Sequence, residues 1–254
     1  MPFTLSHAVL APVIARVSQN TLPLAALAIG CMLPDIYRLF VSHGGHISHQ
    51  WSGQIYPNLL LGLIFAGLWY SVYRPILYQL LDLSAPLKIY HFSSALRFIV
   101  CVVIALIIGN ATHILWDGLT HVDYRTLILH DFLSQEITLF GFIYPLHFML
   151  QVLSSFITLP LLGYWIWHYY LSHRCESTTS VKIKLIILTI LMIALISAAV
   201  WTLSFLSQPQ LAYLQQQPYE LIGRAFNQFC QVFLILTCLA FCIFRVIEQF
   251  FTAK

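Results

Sequence analysis

The chain has 254 residues, of which 59% are hydrophobic and only 8% are charged. A compact soluble protein needs more charge on its surface, so this composition excludes the soluble globular class and predicts an integral membrane protein. The formal net charge is only +3 and the twelve Lys and Arg residues form no basic run, so we expect no nucleic-acid partner.

Seven apolar stretches follow one another along the chain. The first two, at 6–17 and 22–33, are too short to cross a bilayer and predict a helical hairpin. The five longer ones reach the length of about 20 residues that a membrane-spanning helix needs. They cover residues 57–73, 97–116, 140–170, 183–206 and 225–247. We therefore predict an all-α polytopic membrane bundle of about five transmembrane helices, preceded by a short N-terminal helical hairpin.

The pattern predicts one integral membrane domain over residues 1–254. Its first part, 1–56, holds the hairpin and a histidine-rich loop, and 57–171 holds three spans that carry a candidate metal site. The last part, 172–254, holds two further spans. The six cysteines form no CxxC pair, so we expect neither a disulfide framework nor a thiolate zinc site.

Basic residues are concentrated in alternate connections between the spans. The connections at 74–97 and 172–184 are rich in Lys and Arg, whereas 207–224 has only Arg224. The connection at 117–139 has only Arg125, against several carboxylates. Because cytoplasmic loops carry the excess of basic residues, 117–139 and 207–224 are expected to face outward.

His113 and Asp117 lie four residues apart near the predicted outer end of the second span. On a helix these positions share a face, with Cβ atoms about 6 Å apart, which is close enough to bind one ion. His121 continues the stripe if the helix lasts that far. The alternative interpretation is a helix-capping or solvated pair.

Three further candidate ligands precede this pair in the sequence. His7 and Asp35 lie near the two free ends of the predicted hairpin, so an outward-open hairpin brings them together. Asp35 follows a proline, and a helix N-cap is its alternative role. The segment HGGHISHQ contributes His43, His46 and His49, of which one or two are candidate ligands and the rest belong to a solvated loop.

Four motifs in this part of the chain resemble a family of uncharacterised membrane proteins, domain of unknown function 4184. They are MPFTLSHAVLAP, ALAIGCMLPDI, ISHQWSG and GNATHILWDGLTHVD. The resemblance covers most of residues 1–160. It implies a bacterial inner-membrane protein.

A more distant resemblance is to the zinc-dependent phospholipase C and P1 nuclease superfamily, whose helical fold holds three zinc ions. That superfamily uses an early His, then an Asp, a His about fourteen residues later, and an HxxxD on one helix. Here Asp35 and His49 are fourteen residues apart, and His113 and Asp117 form the HxxxD. The resemblance implies that these four residues hold one ion and that His7 with Asp117 helps to hold another.

The same resemblance assigns third-metal positions to His121, His147 and Gln151. Gln151 stands where the superfamily has a carboxylate, and the superfamily's N-terminal Trp ligand is missing. We therefore expect one or two divalent ions, with zinc the best match to histidine and carboxylate ligands.

These observations favour a membrane-embedded, metal-dependent hydrolase that acts at the extracytoplasmic face on phosphoester or lipid head-group substrates. Asp117 or Asp35 is the candidate catalytic carboxylate that orients a metal-bound water. Membrane lipids and a small-molecule or lipid substrate are the expected partners. The alternative is a non-catalytic membrane protein with a structural His/Asp or metal-binding cluster. A transporter fits less well because the spans at 183–206 and 225–247 carry few polar residues.

Overall fold

A computed structural model of the chain describes residues 4–41, 45–139, 141–208 and 218–252. Nearly all of its ordered elements are helices, which confirms the all-α prediction. In chain order they are α1 (Thr4–His7), α2 (Leu10–Val17), α3 (Leu24–Arg38), a 3-10 helix (Gly45–His49), α4 (Trp51–Leu81), α5 (Phe92–Gly118), α6 (His130–Leu133), β1 (Glu136–Leu139), β2 (Phe142–Pro145), α7 (Leu146–His173), α8 (Val181–Leu206) and α9 (Pro218–Thr252).

Five of the described helices, namely α4, α5, α7, α8 and α9, are long and apolar enough to cross a membrane. The shortest of them has 26 residues, which at a rise of 1.5 Å per residue exceeds the hydrocarbon thickness of about 30 Å. The prediction of about five spans is confirmed, and the chain is an integral membrane protein.

The predicted third span began too early, at residue 140. The antiparallel hairpin of β1 and β2 occupies this region, and α7 begins only at Leu146. The physical reason is Pro145, whose ring restricts Tyr144 to extended backbone, so the helix can begin only after it. The hairpin therefore connects to the third span without a loop.

By its internal contacts the chain divides into two compact units. One comprises Met1–Ala66 and Pro86–Ser172, and it contains every candidate site residue. The other comprises Gly67–Ala85 and His173–Lys254 and has its own apolar core around Ile76, Ile187 and Phe241. The single-domain prediction stays a prediction.

Helices α3 and α5 touch through their backbones. A Cβ atom on Gly109 would lie 2.5 Å from the carbonyl oxygen of Leu27, and one on Gly30 would lie 2.7 Å from the carbonyl oxygen of Leu106. Only glycine allows such an approach. The contact brings the last turns of α3 beside the C-terminal half of α5, where His113 lies.

The α3–α5 contact predicts a marked difference between two glycine substitutions. Gly109→Ala inserts a methyl group into backbone atoms, so we expect a loss of about 1–3 kcal/mol in the free energy of unfolding, seen as a lower melting temperature in detergent. Gly163→Ala is the matched control, since a Cβ atom there meets nothing within 4 Å. Equal melting temperatures for the two variants would contradict this packing.

Candidate metal centre

Helix α5 positions the central pair of the site, His113 and Asp117, both of which are buried. The Nδ1 atom of His113 lies 2.7 Å from the carbonyl oxygen of Cys31 on α3 and donates a hydrogen bond to it. This bond leaves Nε2 as the nitrogen that faces Asp117, 3.6 Å from its Oδ2 atom. A histidine that ligates a metal is typically oriented in this way by a bond from its other nitrogen.

The 3-10 helix brings in His49, which is also buried. Its Nδ1 atom lies 3.0 Å from Ser48 Oγ, and that hydroxyl group donates to the carbonyl oxygen of Pro34 at 2.9 Å. The amide of Asn58 donates to the Ser48 carbonyl at 2.7 Å and to Asn110 Oδ1 at 3.1 Å. These bonds fix the ring, so that His49 Nε2 points to the carboxylates.

His7, in α1, stacks on the ring of His113 with 3.8 Å between the ring centroids. Its Nε2 atom lies 3.7 Å from Asp117 Oδ1. Burial and the neighbouring His113 lower the pKa of His7 to about 3, although Asp117 acts in the opposite direction. The imidazole is therefore neutral at pH 7, which is the form that binds a metal.

Asp35 lies within the last turn of α3, so the N-cap alternative is wrong. Burial alone would raise its pKa, but the hydrogen bond with His49 and the charge of His113 hold that pKa well below its ordinary value. Its Oδ1 atom lies 3.2 Å from His49 Nε2. The side chain is 11% exposed, against at most 3% for His49, His113 and Asp117, so Asp35 marks the accessible side of the cluster.

Among the residues that the structure describes, two overlapping groups have ligand atoms within 4.8 Å of one another. One group is His7, Asp35 and His113, and the other is His49, His113 and Asp117. Ligand atoms bound to one tetrahedral zinc ion at 2.0–2.1 Å are about 3.3 Å apart. In the second group, His49 Nε2 and His113 Nε2 each lie 3.6 Å from Asp117 Oδ2, which is close to that spacing.

Several polar atoms at the cluster are buried without a hydrogen-bond partner. They include His113 Nε2 and Asp117 Oδ1. Nearly all buried polar atoms in proteins are paired, because an unpaired one costs about 1–3 kcal/mol. A bound cation would satisfy the imidazole nitrogen and the carboxylate oxygen together.

His121 and His147 lie outside both of these groups. Helix α5 ends at Gly118, yet the following loop turns back and buries His121, whose Nδ1 atom lies 3.6 Å from Asp117 Oδ1. Burial and the charge of Arg125 lower the pKa of His121 to about 4, although Asp117 opposes this. His147 instead contacts the Leu133 carbonyl at 3.3 Å.

The remaining residues that the sequence suggested as metal ligands do not belong to the two ligand groups. Gln151, expected beside a third metal, donates to the Thr120 carbonyl oxygen at 2.6 Å. The ring of His46 packs edge-on against Tyr124. His43 lies outside the described residues.

Arg125 is the site residue that sequence reasoning missed, having been counted only as a loop charge. Its Nη1 atom donates to Asp117 Oδ2 at 3.1 Å, and Nε and Nη2 donate to Asp123 at 3.0 and 2.5 Å. The side chain is only 9% exposed. The sequence signal was its position eight residues after Asp117, in a loop otherwise rich in carboxylates.

The family model described as Domain of unknown function (DUF4184) matches residues 1–248. The chain belongs to this family. Each of the four DUF4184-like motifs contributes to the cluster, through His7, Asp35, His49 and the His113–Asp117 pair. Neither a curated protein nor a solved structure matches the chain. The resemblance to the phospholipase C and P1 nuclease superfamily stays a prediction.

Proposed function

We propose that this DUF4184 membrane protein is a metal-dependent hydrolase whose active centre is the cluster around Asp117. One observation carries the proposal. Histidine and aspartate side chains from four separate segments meet at ligand spacing, and His113 Nε2 and Asp117 Oδ1 are buried there without hydrogen-bond partners. In an apolar protein such a cluster is costly unless it serves a function.

The proposed centre holds one divalent ion. Both ligand groups include His113, and the Nδ1 atom of that ring is bonded to the Cys31 carbonyl. A single nitrogen therefore remains, and one imidazole nitrogen binds one metal. Zinc is the proposed ion because three imidazoles with carboxylate oxygens are typical zinc ligands.

A divalent ion in this position supplies a water of lowered pKa and polarises the bond to be cleaved. The protein's own residues orient the reaction. Asp35, the more exposed of the two carboxylates, would orient that water through a hydrogen bond, while Asp117 is held by Arg125 and remains a ligand. Of the two candidate catalytic carboxylates, Asp35 would thus take the orienting role.

The proposed substrate is a phosphoester, either soluble or part of a lipid head group. This class follows from the resemblance to the zinc-dependent superfamily and from the position of the cluster at the end of the span α5. The basic connections on the opposite side support a centre that faces away from the cytoplasm. In a bacterium this arrangement corresponds to the inner membrane with an outward-facing site.

The test combines metal analysis with hydrolysis by the protein purified in detergent. We expect one equivalent of zinc per chain, and zinc-dependent cleavage of bis(p-nitrophenyl) phosphate or of a short-chain phospholipid. His113→Ala should remove both metal and activity, whereas His130→Ala, at an exposed histidine, should leave both unchanged. Zinc content that is the same in wild type and His113→Ala would refute the proposal.

A second candidate function is a non-catalytic structural or metal-binding cluster. The observation that favours it is the ion pair between Arg125 and Asp117, which neutralises the central carboxylate without any metal. It predicts a folded protein without zinc, or one with zinc but no hydrolysis of either substrate.

The hydroxyl group of Ser48 predicts an indirect effect on metal affinity. Ser48→Ala removes the partner of His49 Nδ1, so the ring loses its fixed orientation. We expect zinc affinity to fall about 10- to 100-fold, measured by competition with a chelator. Ser52→Ala, which removes an exposed hydroxyl four residues later, is the control and should leave zinc affinity unchanged. Equal affinities in the two variants would contradict this role.

A further inference from the structure

Arg125 is a partly buried cation beside what is already proposed as a cation site. Two carboxylates hold it. Asp123 accepts hydrogen bonds from the Nε and Nη2 atoms of Arg125. Asp117 accepts one from Nη1 through its Oδ2 atom, which also faces His49 and His113. A residue that only balanced the charge of Asp117 would not need this second, bidentate anchor, which fixes the plane of the guanidinium group.

The two carboxylates do not use all the N–H donors of the guanidinium group. Arginine carries five N–H groups, one on Nε and two on each terminal nitrogen. The bonds to Asp123 and Asp117 use one N–H on each of the three nitrogens. One N–H therefore remains on Nη1 and one on Nη2. Hydrogen-bond donors on a planar, permanently charged group suit the oxygen atoms of a tetrahedral oxyanion.

Arg125 also lies beside a proposed ligand oxygen. Its Nη1 atom is 3.1 Å from Asp117 Oδ2, the carboxylate oxygen that faces His49 and His113. An ion held by these residues would therefore have the guanidinium group as a neighbour, so one substrate oxyanion could interact with both.

The geometry points to Arg125 as the oxyanion-binding residue of the centre: it recognises the phosphate-type group of the substrate through the N–H groups that Asp123 and Asp117 leave unused. This inference rests on the proposed function. It makes Asp123 a positioning residue, which acts by holding the guanidinium plane. The ligand class is a tetrahedral oxyanion, either free phosphate or the phosphate of a lipid head group.

The test measures zinc affinity and oxyanion affinity separately, in the full chain in detergent. The probes are inorganic phosphate and dihexanoyl phosphatidic acid, each titrated into zinc-loaded protein by calorimetry. In Arg125→Gln we expect oxyanion binding to weaken at least tenfold, while zinc binding stays equal or tightens because a positive neighbour is removed. Arg125→Lys should restore part of the oxyanion affinity, since Lys supplies charge without the fork.

Two more variants complete the design. Asp123→Asn keeps the guanidinium group but loosens its anchor, so oxyanion binding should weaken several-fold even if Arg125→Gln does not fold. Arg224→Gln, at an arginine paired with Glu220 on an exposed helix surface, is the control and should change neither affinity. Tighter binding of the phosphatidic acid identifies a lipid head group, and tighter binding of inorganic phosphate identifies a soluble ligand.

The outcomes separate this inference from the proposed function. A wild-type protein without stoichiometric zinc overturns the proposed function and this inference with it. If zinc-loaded wild type and zinc-loaded Arg125→Gln bind phosphate equally, the proposed role of Arg125 is overturned and the proposed function is not. If Arg125→Gln loses zinc affinity but binds phosphate unchanged, the oxyanion-binding role of Arg125 is also overturned. Arg125 is then a positioning residue for Asp117.

Discussion

Asp117→Ala is expected to abolish zinc binding and to lower the free energy of unfolding by about 3–5 kcal/mol. Asp117 is the centre of the cluster, and its carboxylate faces five cationic or metal-binding groups: His7, His49, His113, His121 and Arg125. Removing one partner of a buried ion pair leaves the other charge uncompensated, which accounts for the large loss. Metal content by mass spectrometry and thermal unfolding in detergent measure the two effects.

Two comparison variants sharpen this prediction. Asp131→Ala removes a fully exposed carboxylate and should change neither metal content nor melting temperature. Asp117→Asn keeps the shape of the side chain but loses its charge, so zinc binding should be weakened strongly with a smaller loss of packing. An Asp117→Ala protein that keeps its zinc would show that the ion lies elsewhere.

The second large effect is the loss of stability of the metal-free protein in acid. The folded protein holds the pKa of His7 at about 3 and that of His121 at about 4, both below the ordinary value of 6.5. Below pH 6.5 the unfolded chain therefore binds protons that the folded chain does not. Stability is complete above pH 6.5 and falls as the pH decreases from 6.5 towards 4.

We expect a loss of about 5 kcal/mol between pH 7 and pH 4.5, from about 1.4 kcal/mol per pH unit below 6.5 at each of the two histidines, measured as melting temperature in the presence of a chelator. The lowered pKa of Asp35 acts in the same direction but only below pH 4, outside this range. His7→Gln should flatten the pH dependence. His130→Gln, at an exposed histidine, should leave it unchanged. Equal slopes in His7→Gln and wild type would contradict the burial of His7 as a neutral ring.

The membrane architecture was predictable because hydropathy and span length dominate it. All five spans were recognised, since about 20 apolar residues in succession have few alternatives. The hairpin before α7 was missed because Phe142 to Pro145 are apolar and continue the hydrophobic run. Only the restriction that Pro145 places on Tyr144 distinguishes this segment from the helix, and hydropathy does not report it.

The convergence of His7, Asp35, His49, His113 and Asp117 was predictable from spacing and from motif resemblance. The contacts that orient these side chains were not. The Cys31 carbonyl, which binds His113, is a backbone atom, and its position depends on the close approach of Gly30 and Gly109. Such a contact leaves no mark in the sequence beyond two glycines in apolar helices.

The contacts of Arg125 and His121, in the loop after α5, were likewise not predictable from the sequence. Helix α5 ends at Gly118, so His121 is not part of the helical stripe, yet the loop folds back and buries it beside Asp117. The return path depends on the bond from Thr126 Oγ1 to the His121 carbonyl at 2.7 Å and on the anchoring of Arg125 by Asp123. Loop side chains interact with neighbours that periodicity does not specify.

X-ray absorption at the zinc edge, combined with metal stoichiometry, is the most direct test of the proposed metal centre. We predict one zinc ion per chain in a shell of nitrogen and oxygen atoms at about 2.0–2.1 Å, with the outer-shell scattering of imidazole rings. The same signal should be lost in His113→Ala. A protein that takes up no zinc, or a shell containing sulfur from the free cysteines, would contradict it.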